Sequence, residues 1–328
     1  MPVIVNAKEK HPFLSSLASD TSIDAWRAEH QDIRPMEVLM LNLMADKIGT
    51  EKQMAEWLGR TPLQVNLTFA ATDRYLTAIR NGKRSKNTPS DHIKKYYTSL
   101  SEIRDKKFDG LIVTGTNADA IPHDLKEEKF WPEVEEILEW SKTHVLSSLF
   151  LCWGGHAALR HFHNIRHVRA PRKTWGVFDH RMVKDSTNIL QGFPDRFAVP
   201  VSHWNGIARE DVLKNPALEL VADSEEAGVG LIVEPRPYDD GKRLYPYRVY
   251  TLFHPEYDTE TLKREYIRDR ATDSAPALPA HYFPGDDPAK PPENLWRLWA
   301  CIYTRWVRSI YEATPYDINL IPEPYRRG

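Results

Sequence analysis

Cysteine is scarce in this sequence: of 328 residues, only Cys152 and Cys301 are cysteines. Two cysteines in a chain of this length do not form the disulfide framework of small secreted proteins, which favours a reducing cytoplasm. The amino terminus lacks the basic-then-apolar pattern of a signal peptide. No apolar run approaches the ~20 residues that a membrane-spanning helix requires. We therefore expect a cytoplasmic protein without a membrane segment.

The sequence also has no large excess of positive or negative charge. The chain has 44 Lys and Arg against 46 Asp and Glu, a formal net charge of −2. Such a balance argues against nucleic acid or an anionic membrane as the main partner and leaves small molecules as expected ligands. His161 and His163 flank Phe162, but no cysteine or carboxylate spacing accompanies them, so no metal is predicted. The oligomeric state stays open between a monomer and a homodimer.

One local basic run interrupts this balance. Lys83, Arg84 and Lys86 follow the turn signal Asn81-Gly82. Such a run is most often a solvated loop. The alternative is a contact with an anionic ligand such as a coenzyme phosphate.

Buried-strand patterns alternate with helical ones along most of the chain. Such alternation predicts an α/β fold with a doubly wound, mostly parallel sheet. Strands are predicted at 36–43, 63–70, 108–113, 146–151 and 248–252, and helices at 50–58 (with a capping box at Thr50 and Gln53), from 89 to about 100, and at 131–143. We also predict a small antiparallel flap at 175–201, a proline-rich strap at 275–292, and an amphipathic helix at 294–311 that packs Leu295, Leu298, Ile302, Trp306 and Ile310.

The length allows one large domain or two smaller ones. The pattern favours an N-terminal extension at 1–35, one α/β domain at 36–317 and a C-terminal tail at 318–328.

Cys152 stands where an apolar strand meets a helix start. Residues 145–151 read as a buried strand, and Trp153, Gly154 and Gly155 follow the cysteine. Such a strand-to-helix elbow exposes one side chain at the carboxyl end of a sheet and aims backbone N–H groups at its target. A lone cysteine at a strand end is more often a small packing residue. The two glycines favour a nucleophile instead.

A matching base follows about a hundred residues later. His254 and Glu256 come directly after the apolar stretch 248–252. A thiol needs a base to become a thiolate, and an imidazole held by a carboxylate supplies one. The pair alone is weak, since polar residues after a strand usually form a loop. Together with the elbow, Cys152, His254 and Glu256 predict a cysteine triad.

Motifs along nearly the whole chain, from about His30 to Asp317, resemble homoserine O-acyltransferases of the homoserine transsuccinylase type. Among them are His30-Gln31-Asp32-Ile33-Arg34-Pro35, Thr61-Pro62-Leu63-Gln64-Val65, Phe108-Asp109-Gly110-Leu111-Ile112, Cys152-Trp153-Gly154, Ser224-Glu225-Glu226-Ala227-Gly228-Val229 and His254-Pro255-Glu256-Tyr257-Asp258. The resemblance implies a glutamine-amidotransferase-like fold and transfer of an acyl group from acyl-coenzyme A to the hydroxyl of homoserine. Acyl-coenzyme A is thus expected as a co-substrate, without a bound cofactor.

The resemblance also implies roles for single residues. Cys152 would carry the acyl thioester, His254 would be the general base and Glu256 its orienter. The other implied roles are an oxyanion hole formed by the backbone N–H groups of Leu43 and Trp153, and substrate contacts from Lys173, Ser202 and Arg268. A guanidinium suits the last role, since it can grip a carboxylate with two parallel hydrogen bonds.

The chain departs from the family pattern around the expected pocket. Gly155-His156 replaces an Ala-Gln pair, and His203 to Gly206 replaces the residues that follow Ser202 in the family. The acyl acceptor therefore stays open between homoserine and another hydroxy amino acid such as serine.

The position that separates acyl donors in the family matches Asp119. A carboxylate there would repel the carboxylate of a succinyl group, which favours acetyl-coenzyme A. The alternative role of Asp119 is to cap a turn before Ile121-Pro122.

Two other functions compete with acyl transfer. A glutamine amidotransferase or other hydrolase of the same fold uses the same three catalytic residue types. A catalytically silent protein could retain the fold, although the complete triad argues against this.

Overall fold

The computed structural model describes residues 3–5, 22–24, 34–116, 125–238, 241–271 and 277–323, the first two segments by their backbone alone. Its strands are β1 Val3–Val5, β2 Ser22–Asp24, β3 Met36–Leu41, β4 Val65–Ala70, β5 Tyr97–Thr98, β6 Phe108–Val113, β7 Val145–Leu151, β8 His167–Met182, β9 Arg196–Ile207, β10 Glu219–Ser224, β11 Gly228–Pro237 and β12 Leu244–Thr251. The α-helices are α1 Lys47–Leu58, α2 Asp73–Arg80, α3 Ser90–Tyr96, α4 Leu100–Ile103, α5 Trp131–His144, α6 Trp153–His163, α7 Arg209–Leu213, α8 Thr261–Arg270 and α9 Cys301–Ala313.

One ten-stranded sheet organises the described chain, in the order β5-β4-β3-β6-β7-β12-β11-β10-β8-β9. The strands from β5 to β12 pair in parallel, and those from β12 to β9 pair antiparallel. The predicted α/β fold with a mostly parallel sheet is confirmed. The predicted flap corresponds to β8 and β9, which form the antiparallel edge of this sheet rather than a separate unit.

The central parallel strands are buried on both faces, which is why they read as continuous apolar runs. Every residue of β6 and β7 is buried. The strands β3, β6, β7 and β12 are parallel neighbours, so their carboxyl ends lie together at one end of the sheet. Ligands of such sheets bind in the crevice outside these strand ends.

Two predicted helix starts differ from the structure. Helix α1 begins at Lys47, because the Asp46 side chain caps it by accepting from the Gly49 backbone N–H. The Thr50–Gln53 spacing therefore lies inside the helix. Helix α9 begins only at Cys301, after a short 3₁₀ turn. Leu295 and Leu298 are 71% and 75% exposed, so the buried stripe of α9 starts at Ile302 and continues with Trp306 and Ile310.

The proline-rich strap is described from 277 onward. It contacts the antiparallel half of the sheet at Ala280, whose backbone N–H and C=O bond the main chain of Trp175 and Val177. Gly176 lies between them, and a side chain there would collide with the Ala280 main chain. Within the described ranges, no helix is both long and apolar enough to cross a membrane.

Candidate active site

Cys152 occupies the elbow that the sequence predicts, between β7 and α6. Its backbone has φ 49° and ψ −110°, a conformation that costs an ordinary residue free energy and is found mainly at functional sites. A Cβ on Gly154 would lie 2.5 Å from the Val113 carbonyl oxygen. The glycine therefore lets α6 begin close to β6, with Cys152 held at the strand end.

His254 reaches Cys152 because β12 and β7 are parallel neighbours that end together. Thr251 pairs with Leu151, and the Cys152 backbone N–H donates to the Thr251 carbonyl at 2.7 Å. The Cys152 thiol and the His254 imidazole lie within hydrogen-bonding reach. On the other side of the ring, Nδ1 is 2.7 Å from Glu256 Oε1. The three residues thus form a Cys–His–Glu chain.

The surroundings favour a charged His254. Burial alone would lower the pKa of His254, but Glu256 and Cys152 outweigh it and hold that pKa well above its ordinary value. Tyr303 donates to Glu256 Oε2 at 2.5 Å and fixes the carboxylate. The Tyr257 ring stacks on the imidazole with centroids 4.5 Å apart. A cysteine reacts as its thiolate, and an imidazole beside the sulfur is the group that exchanges a proton with it.

The two predicted oxyanion donors have different surroundings. Trp153 is the first residue of α6, so its N–H lies at a helix start beside Cys152, where helix geometry leaves the group without an intrahelical acceptor. The Leu43 N–H instead donates to Thr114 Oγ1 at 2.8 Å. Leu43 can act as an oxyanion donor only after Thr114 releases that N–H.

The predicted substrate residues share one cleft with the triad. The cleft has a volume of about 580 Å³, and its lining includes Cys152, Lys173, Ser202, His254 and Arg268. Leu43 lines the neighbouring cavity instead. Asp119 lies outside the described residues.

The charged side chains of this cleft form ion pairs with one another. Lys173 Nζ is 2.9 Å from Asp269 Oδ2 and 3.6 Å from Glu265 Oε2. Ser202 donates to Glu265 Oε2 at 2.6 Å, and Arg268 pairs with Asp269 at 2.7 Å. Burial alone would raise the pKa of Asp269, but Lys173 and Arg268 lower it below its ordinary value. The cleft therefore presents both signs of charge, as a zwitterionic amino acid requires.

Two residues that depart from the family pattern also line this cleft. His156 and His203 interact electrostatically, and burial is the main cause that lowers their pKa values, to about 3 and about 4. Both rings are therefore neutral near pH 7. Strand alternation places His203 on the opposite face of β9 from Ser202. The departures thus contribute two neutral rings to the lining of the cleft.

Sequence reasoning missed three residues of this site: Glu265, Tyr257 and Tyr303. Glu265 accepts from Ser202 and, at 2.9 Å, from the Tyr257 hydroxyl. Helix α8 is strongly polar, so its glutamate looked like a solvated residue. Tyr303 lies on α9, and its partner Glu256 lies on a loop far away in sequence. An unusual tyrosine inside the apolar stripe of α9 was the available signal.

The fold and the candidate site define a class: an α/β protein with a Cys–His–Glu constellation at the strand ends. A glutamine amidotransferase from Methylobacillus flagellatus shares this fold, with a TM-score of 0.50 at 12% identity over 85% of this chain and 96% of that chain.

Sequence comparison identifies the family. The model of the homoserine O-succinyltransferase family matches residues 2–316, and the chain belongs to that family and is an acyltransferase. It is similar to the homoserine O-acetyltransferases of Rhizobium leguminosarum bv. trifolii, 40% identical over 295 residues (90% of each chain), and of Thermotoga petrophila, 41% identical over 295 residues (89% of this chain and 90% of that one).

Proposed function

We propose that this acyltransferase moves an acyl group from acyl-coenzyme A, through a thioester on Cys152, to the hydroxyl of homoserine or a related hydroxy amino acid. The observation that carries the proposal is the alignment of Cys152, His254 and Glu256 on the lining of a cleft that also holds paired charges. The names of the family and of its relatives support homoserine as the acceptor.

In the first half-reaction, the Cys152 thiolate attacks the thioester carbonyl carbon. A new C–S bond forms, and the negative charge that develops on oxygen is stabilised by backbone N–H groups, among them that of Trp153. The carbonyl then re-forms, the bond to the coenzyme sulfur breaks, and His254 gives its proton to the leaving thiolate. The products of this half-reaction are acyl-Cys152 and free coenzyme A.

In the second half-reaction, neutral His254 takes the proton of the acceptor hydroxyl. The oxygen attacks the acyl carbon, a C–O ester bond forms, and the Cys152 sulfur leaves as the thiolate. The enzyme returns to its starting charge state. Lys173, Ser202 and Arg268 hold the acceptor in this proposal. Arg268 and Lys173 would exchange their present carboxylate partners for the substrate's carboxylate.

Acetyl-coenzyme A is the favoured donor. The relatives at 40–41% identity are named acetyltransferases, and a carboxylate at Asp119 disfavours a succinyl group by like-charge repulsion. The family description names succinyl instead. Direct competition between the two donors therefore decides this part of the proposal.

The test is release of coenzyme A from acetyl- and succinyl-coenzyme A with homoserine, serine and glutamine as acceptors. We expect homoserine-dependent release that is lost in Cys152→Ala. Turnover by Cys152→Ala at the wild-type rate would contradict the mechanism. Ammonia released from glutamine without any acyl transfer would instead favour an amidotransferase.

A further inference from the structure

A second cavity lies beside the catalytic cleft and differs from it in charge. It has a volume of about 670 Å³, and its lining includes Arg74, Lys83, Arg84, Lys86 and Lys129. We call these five residues the basic rim. None of them forms an ion pair within the part of the chain that the structure describes. The single carboxylate of the lining, Glu133, accepts a hydrogen bond from the Arg74 backbone N–H at 3.1 Å.

The loop that carries three of these cations is held in place. Its central Ser85 receives a hydrogen bond from the Tyr75 hydroxyl at 3.2 Å and donates its N–H to Ser90 at 3.1 Å. Thr88 joins the loop to the start of α1, since it accepts from the Lys47 N–H and donates to the Ala45 carbonyl. The exposed cations therefore stay at the mouth of the cavity.

The basic cavity is continuous with the catalytic cleft. Met44, Ala45, Asn87 and Thr116 line both. The Phe130 ring on its wall packs against the ring of Trp153, with centroids 5.1 Å apart, and Trp153 follows Cys152 directly. A ligand with phosphates at the rim could thus extend a flexible chain to the Cys152 sulfur.

We propose that the basic rim binds the phosphates of coenzyme A, and that the Tyr75–Phe130 side of the cavity leads its thioester arm to Cys152. This deepens the proposed function and rests on it. Unpaired cations at the edge of a low-dielectric cavity attract polyanions strongly, and both Arg and Lys are phosphate ligands. Coenzyme A carries a diphosphate and a ribose phosphate, so its charge matches the uncompensated charge of the rim.

The experiment measures equilibrium binding of free coenzyme A and of phosphate-free pantetheine by calorimetry at low salt. The variant is Lys83→Ala/Arg84→Ala/Lys86→Ala. The matched control, Lys94→Ala/Lys106→Ala/Lys214→Ala, removes three exposed cations that line neither cavity. We expect coenzyme A to bind the rim variant at least tenfold more weakly, with pantetheine binding unchanged and the control like wild type. Added salt should weaken wild-type binding far more than binding to the rim variant.

Three results of the binding assay would overturn the inference: no binding of coenzyme A to the wild type, equal affinity in wild type and rim variant, or equal losses for coenzyme A and pantetheine. The binding assay needs no turnover. Rim-dependent binding without acyl transfer would therefore refute the proposed reaction, while the basic rim would still be a binding site for coenzyme A. If the rim variant transferred acyl groups with an unchanged KM for the coenzyme A thioester, the phosphate-binding role of the rim would be refuted and the proposed reaction would not.

Discussion

The two neighbouring cavities differ in how their charges are compensated. In the catalytic cleft, Lys173 and Arg268 already face carboxylates, and buried histidines are kept neutral. In the basic cavity, the cations of the rim have no carboxylate partners among the described residues. A paired site suits a zwitterion that exchanges partners with it, whereas an unpaired basic site suits a polyanion. Under the two proposals, one cavity would therefore recognise the acceptor and the other the donor.

The largest expected effect concerns the chemistry that both cavities serve. We expect His254→Ala to lower kcat by about 10²–10⁴-fold, since proton transfer enters both half-reactions. Glu256→Gln should cost less, because the carboxylate only orients and polarises the ring. Single-turnover rates of the two half-reactions measure this. A larger loss for Glu256→Gln than for His254→Ala would reverse the assigned roles.

The next prediction distinguishes acceptor binding in the catalytic cleft from donor binding at the basic rim. Arg268→Lys should raise the KM for the acceptor roughly tenfold or more, because an ammonium cannot reproduce a two-pronged contact with a carboxylate. Acyl-enzyme formation should stay near wild type, since the acceptor enters afterwards. Arg270→Lys, on the same helix, is the matched control. Equal loss in both half-reactions would make Arg268 a structural residue, and no loss would make it a solvated one.

Donor choice should respond less strongly. Asp119→Gly removes a carboxylate from the expected acyl pocket, and we expect the succinyl-to-acetyl preference to rise by roughly fivefold or more. Competition between the two donors in one reaction mixture gives the ratio. Asp119→Asn, which removes the charge but keeps the shape, should show most of the gain. An unchanged ratio in both variants would make Asp119 a turn residue.

The smallest effect tests whether burial keeps histidines neutral. Burial, the largest cause, lowers the pKa of His180 to about 4. The unfolded chain takes up a proton near pH 6.5 and the folded one does not, so His180 should reduce the free energy of unfolding as pH falls from about 6.5 to 4. Urea unfolding at pH 7 and pH 5.5 measures how much free energy of unfolding is lost on acidification, and this loss should be smaller by about 1 kcal/mol in His180→Gln than in wild type. Exposed His281→Gln is the control, and an equal loss in all three proteins would contradict the account.

The sequence predicted those parts of the fold and site that depend on local pattern. Buried strands such as β6 and β7 are continuous apolar runs, and Cys152 with its glycines and His254 with Glu256 follow strand ends directly. Helix α2 was missed, because only Leu76 and Ile79 are buried among its polar residues. Glu265 and Tyr303 were missed because their roles depend on partners brought together by the tertiary fold. The domain limits and the acceptor and donor residues stay predictions.

The most direct test of the central claim is to trap the acyl-enzyme. Wild-type protein mixed briefly with acetyl-coenzyme A, without acceptor, and quenched in acid should gain the mass of one acetyl group. Peptide mapping should place that group on Cys152 and leave the other cysteine, Cys301, unmodified. Addition of homoserine before the quench should remove it. Acyl transfer at the wild-type rate with no acetyl group on Cys152, or with the group on another residue, would contradict the account.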